Sequence, residues 1–135
     1  DTDANLVTGV KDPANRQTTL GYTDGKLSSI TYTDSKSVSL TYNSDNNVSR
    51  INGINSYADI TYGTEKRVSE ITRKNGETTL EKYTFSYKQN ETEITDYMDR
   101  SYTYQFNDFG QTTGMVSNIN GQAQFFSYTN QSTED

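Results

Sequence analysis

The chain has 135 residues and a net charge of −6 at pH 7, with twelve Lys and Arg against eighteen Asp and Glu, no Cys and no His. That length holds one domain or one stretch of something longer. The missing Cys and His exclude a disulfide frame, thiol and imidazole nucleophiles and the usual zinc ligands. Basic residues scattered singly in an acidic chain argue against nucleic acid as a partner. No run approaches the roughly 18 apolar residues of a membrane span, so no membrane insertion is expected.

Leu, Ile, Val and Phe make up 23 of 135 residues, about 17%, under the rough 20% mark at which chains fail to bury a core. Eleven Tyr, five Phe and a single Pro point the other way, because disordered chains are poor in aromatics and rich in Pro. The composition therefore predicts ordered structure without a thick core.

Along the chain one pattern recurs: an apolar residue, a spacer, an aromatic, a polar turn and an apolar return. It reads LGYTDGKLSSI at 20–30, LTYNSDNNVSRI at 40–51, ITYGTEKRVSEI at 60–71, FSYKQNETEI at 85–94, YQFNDFGQTTGM at 104–115, and FSY at 126–128. The anchor aromatics are Tyr22, Tyr42, Tyr62, Tyr87, Phe106 and Tyr128. The period is about twenty residues.

Each unit reads as a β-hairpin. In SVSLTY at 37–42, Val38, Leu40 and Tyr42 point one way, and in SYTYQF at 101–106, Tyr102, Tyr104 and Phe106 do the same. The stretches TDGK, NSDN, GTEK, KNGE and NDFG supply Gly, Asn or Asp for the turns, with Gly110 as a turn residue. In the returning strands Val48 and Ile51, and Val68 and Ile71, are three apart, which puts them on opposite faces unless a bulge intervenes. No apolar stripe of helical period runs for ten residues. The expected fold is all-β, an antiparallel up-and-down sheet of eleven or twelve short strands in about five to six hairpin repeats over residues 1–135. Cross-strand aromatic and β-branched pairs, at roughly 0.2–1 kcal/mol each, substitute for a deep core.

Chemistry is sparse. Asp24, Asp34, Asp45, Glu65 and Asp108 fall one per turn, where Asp is a turn former, rather than as two carboxyls facing each other in a cleft. Neither DTD at 1–3 nor NSDNN at 43–47 gives a calcium-loop ligand series. No catalytic residue, metal or cofactor is expected. Tyr83, Phe85 and Tyr87 beside Tyr102, Tyr104 and Phe106 offer a row of rings that could stack on sugars. The competing expectation is that they stack on one another and hold the sheet.

The stretch YQFNDFGQTTGM resembles the YD repeat of RHS proteins, which runs aromatic, x, Tyr, Asp, x, x, Gly, Arg, Leu, x, x, apolar. VKDPANRQTTLGY at 10–22 is similar to the Asp-Pro-x-Gly-Arg-x-Thr connector that precedes such a repeat. Phe106 stands for Tyr, Asn107 for Asp, Gln111 for Arg, Thr112 for Leu and Asn15 for the connector Gly. Losing Arg at 111 is expected to leave the acidic position without a partner, while Asn15 keeps tolerance of left-handed backbone. The resemblance covers residues 5–128, strongest at both ends. It implies a hairpin sheet that spirals into a shell in large secreted or surface proteins, some carrying toxic C-terminal domains. On that basis the chain, which begins at Asp1, is expected to be a non-catalytic fragment of such a shell, at the cell surface, in the cell wall or outside the cell. Its partners would be neighbouring repeats, with glycans as the alternative. Strands near residues 5–10 and 122–129 would present free edges to a second copy.

Overall fold

The computed structural model describes residues 6–119 and 121–126. Twelve strands form one antiparallel sheet in strict chain order. They are β1 (Gly9–Lys11), β2 (Gln17–Thr23), β3 (Lys26–Thr31), β4 (Ser37–Tyr42), β5 (Val48–Asn52) and β6 (Tyr57–Tyr62). Next come β7 (Val68–Asn75), β8 (Thr78–Lys88), β9 (Glu91–Asp96), β10 (Ser101–Phe106), β11 (Thr112–Ser117) and β12 (Ala123–Phe125). Thr64–Lys66 make a single tight turn, with Glu65 at φ 62°. The all-β, up-and-down hairpin sheet expected from period-two alternation is what forms.

Alternation sorts the side chains into two faces. One carries Leu20, Tyr22, Leu27, Ile30, Val38, Leu40, Tyr42, Val48, Ile51, Ile60, Tyr62, Val68 and Ile71, then Phe85, Ile94, Tyr102 and Met115, by the register of successive pairs. The other carries hydroxyls and charges, among them Arg50 opposite Asp59 and Lys88 opposite Glu91. No apolar residue among the described ones is fully buried. The accessible surface is 10086 Å², against about 7,100 Å² for a compact monomer of this mass. The sheet is a single layer whose apolar side chains cover each other.

The uneven spacing in the returning strands has a repeated cause. Tyr42 opposes Val48 and Thr41 opposes Arg50, which leaves Ser49 as an extra residue. Ser69 is extra between Val68 and Glu70, Ser28 between Leu27 and Ser29, and Thr113 between Thr112 and Gly114. Each is a β-bulge, and each brings the next apolar residue back to the apolar face. These four bulge residues carry hydroxyls, unlike Leu80, the extra residue of β8 opposite Arg73 and Lys74, and Ser49 and Ser69 meet Thr41 and Thr61 at 3.4 and 3.2 Å.

Four turns share one hydrogen-bond pattern. The Oδ1 of Asp12, Asn43, Asp96 and Asn107 accepts from the backbone N–H groups two and four residues on. The residue three positions on is left-handed in each: Asn15, Asn46, Asp99 and Gly110. Asn15 thus takes the conformation expected of it, at φ 65°. At Gly110, φ is 75° and an added Cβ would meet nothing within 4 Å. Its backbone angle, not its size, is what that turn uses.

Candidate functional site

The anchor aromatics act together, and backbone accounting shows why. In the hairpin that follows Tyr42, Asn43 N–H bonds the carbonyl of Asn47. The next carbonyl, that of Val48, therefore points out of the hairpin toward β6. The β5–β6 ladder, however, runs only from Arg50 to Asn52, because the bulge at Ser49 ends it. The Val48 carbonyl would be left without a donor. Tyr62 supplies one: its hydroxyl donates to that carbonyl at 2.8 Å.

The same tie recurs along the sheet. Tyr42 Oη donates to the Leu27 carbonyl at 2.7 Å, Tyr87 Oη to the Val68 carbonyl at 2.8 Å, and Tyr22 Oη to the Val7 carbonyl at 2.8 Å. Leu27, Val48 and Val68 are themselves the cross-strand partners of Tyr22, Tyr42 and Tyr62. Tyr42, Tyr62 and Tyr87 thus each grip the residue that the preceding anchor faces. The position before the accepting residue adds a second contact, with the Lys26 ammonium 5.7 Å from the Tyr42 ring centroid and the Arg67 guanidinium 4.6 Å from that of Tyr87. At the equivalent place before Val48 stands Asn47, whose buried Nδ2 has no partner.

Phe106 is the exception that fits. The β8–β9 hairpin closes without a bulge, the β9–β10 ladder runs unbroken from Glu91 to Thr95, and Phe106 N–H continues it to the Asn90 carbonyl at 2.8 Å. No carbonyl is stranded there, so no hydroxyl is needed. Tyr128 lies outside the described residues.

Two sequence expectations need correction. Tyr83, Phe85 and Tyr87 on β8 share a face with Tyr102, Tyr104 and Phe106 on β10, but β9 lies between them, so Ile94 separates Phe85 from Tyr102 and Thr92 separates Tyr87 from Tyr104. The rows are not side by side because an up-and-down sheet inserts the returning strand. Gln111 does not leave its turn partner alone either: Asn107 Nδ2 donates to Gln111 Oε1 at 2.7 Å. A neutral amide pair stands where the repeat pattern has Asp and Arg.

Four of the five turn carboxylates are engaged at the turns. Asp34 pairs with Lys36 at 2.7 Å, Asp45 with Lys66 at 3.1 Å, and Glu65 with Arg67. Asp108 accepts from Asn90 Nδ2 at 2.8 Å, which links two neighbouring turns. The Arg100 side chain and the backbone N–H groups of its turn hold the Asp96 carboxyl below its ordinary range. Lys82, then Thr72, do the same for Glu70. Among the described residues no group of acidic side chains is placed to hold a metal ion.

Sequence reasoning missed a cleft of about 470 Å³ at the rim of the apolar face, lined by Tyr32, Ile54 and the turns at 12–16 and 32–36. Tyr32 stands off the twenty-residue period, so the repeat gave no reason to single it out. Compared with known proteins, the chain matches no family model and no curated protein.

Proposed function

We propose that the chain is a non-catalytic structural segment of a longer, secreted or cell-surface RHS-type repeat protein, in which successive hairpins extend one sheet. The observation that carries this reading is the Tyr hydroxyl tie at three successive bulged junctions, to Leu27, Val48 and Val68, with a further tie from Tyr22 to Val7. It spends the most regular side chains of the sequence on joining one hairpin to the next. Stability of that kind is a sum of nearest-neighbour terms and grows with repeat number. The neighbouring repeats of the parent protein would pair with β1 and β12. The cellular location rests on the resemblance of YQFNDFGQTTGM to the YD repeat. The flanking gene sequence tests the assignment: further hairpin units of about twenty residues on either side support it, and flanking sequence of unrelated character on both sides overturns it.

A second reading, a carbohydrate platform, is favoured by the shared face of Tyr83, Phe85, Tyr102 and Tyr104 and by the 39% exposure of Tyr83. Glycan-array binding lost in Tyr104→Ala while the fold survives would support the platform. A silent array, with Tyr104→Ala unfolding the chain, would support the scaffold alone.

A further inference from the structure

Three Asn–Gly pairs stand in the chain, at 52–53, 75–76 and 120–121, and such a pair can modify itself. The backbone nitrogen of the glycine attacks the side-chain Cγ of the asparagine, the side-chain nitrogen leaves as ammonia, and a cyclic imide forms. Water then opens the imide to aspartate or isoaspartate, so water is the only co-reactant. Glycine favours the step because it has no Cβ to crowd the attacking nitrogen. In a folded chain the rate depends on whether the two reacting atoms can meet.

The sheet treats the two described pairs differently. Asn52 is half-buried and paired on both sides, with Ser39 on β4 and Tyr57 on β6. Its side-chain amide donates to Ser39 Oγ at 3.0 Å, and the Gly53 N–H donates to the Ser56 carbonyl at 2.8 Å. Both reacting groups are therefore held. Asn75 is exposed and has a ladder partner on one side only, Thr78, since the pairing of β7 with β6 stops at Lys74. Neither the Asn75 side chain nor the Gly76 N–H has a hydrogen-bond partner among the described residues. Gly76 and Glu77 form a two-residue hairpin turn with positive φ at Gly76 alone, 54°, the pattern of a type II′ turn. An added Cβ at Gly76 would meet nothing within 4 Å, so a ring has room to form there.

We infer that Asn75 is a self-modification site, converting to aspartate and isoaspartate in the folded chain while Asn52 is protected. Exchanging one neutral amide for a carboxylate takes the net charge from −6 to −7 and puts the new charge two residues from Glu77. Isoaspartate also adds a backbone carbon beside a turn whose length fixes the β7–β8 register. It thereby disturbs the Gly76 carbonyl, which accepts from Tyr57 Oη at 3.2 Å. The inference goes beyond the scaffold reading and does not depend on it, because it needs only the β7–β8 hairpin tip.

The test is incubation of the whole chain in mildly alkaline buffer, with peptide mapping by mass spectrometry at intervals, beside the same chain unfolded in urea. In urea the two pairs should react at similar rates, being the same dipeptide. In the folded chain Asn75 should go on reacting while Asn52 lags it about thirtyfold, the loss of reactive population when two hydrogen bonds of ordinary net worth must first be released. Backbone-amide NMR of the aged chain should show new signals for residues 74–78 and for Tyr57, with the other strands unchanged. Equal rates at Asn52 and Asn75 in the folded chain, a faster Asn52, or an Asn75 that stays intact when folded while the urea sample converts would overturn the proposal.

Discussion

Replacing Tyr62 by Phe deletes one oxygen and leaves the ring, the strand and the pairing with Val68 in place. What is lost is the 2.8 Å bond to the Val48 carbonyl, in a partly buried setting where water regains that carbonyl only in part. A net loss of about 1 kcal/mol follows, or roughly 3–5 °C in Tm for a chain between the size classes. Urea unfolding followed by circular dichroism measures it, and the slope should stay unchanged because the exposed surface does. Adding Tyr42→Phe, whose hydroxyl acceptor is Leu27 on a different strand, should bring the total to about 2 kcal/mol if the ties are independent. Phe106→Tyr is the converse control: with the Asn90 carbonyl already taken by Phe106 N–H, the added hydroxyl should change stability by less than about 0.5 kcal/mol. A Tyr62→Phe chain as stable as the parent would refute the reasoning. So would a gain from Phe106→Tyr matching the Tyr62→Phe loss.

Asn47→Arg places a guanidinium before Val48 as Arg67 stands before Val68, so stacking on Tyr62 and removal of the orphaned amide should raise stability by about 0.5–1 kcal/mol in the same assay. Acid should destabilise the sheet. The carboxyls of Asp12, Asp34, Glu70 and Asp96 are held below their ordinary values of 3.8 to 4.5, so their contribution is complete above that range and is lost as the pH falls through the lowered values. Urea midpoints measured from neutral pH downward should stay level and then drop, with a smaller drop in Asp96→Asn, which keeps the turn acceptor and loses the ion pair with Arg100. Phe125, at 74% exposure on the terminal strand β12, offers an uncharged edge to a second copy, so Phe125→Lys should reduce self-association in sedimentation velocity at high concentration while the internal hairpins stay folded.

Much of this protein is written locally. Alternation in SVSLTY and SYTYQF, with Asx residues and Gly110 at the turns, is enough to specify strands, hairpins and their order, because both signals act over a few residues. Among the described residues the outermost strands are β1 (Gly9–Lys11), which overlaps the expected 5–10, and β12 (Ala123–Phe125), which lies within 122–129; residues 5 and 127–129 are outside those described. What alternation does not carry is register, a relation between strands. Only the folded sheet shows that Ser49 and Ser69 bulge and restore Val48, Ile51, Val68 and Ile71 to one face. Only there do the bulges at Ser28, Ser49 and Ser69 strand a carbonyl in front of the next repeat's Tyr. Recurring Tyr in the sequence announces a repeat without saying whether ring or hydroxyl matters, and Phe106 reads as a departure until the unbulged β8–β9 hairpin explains it. The Tyr32 cleft likewise arises from two turns 20 residues apart that share a rim, a proximity set by strand order rather than by any motif.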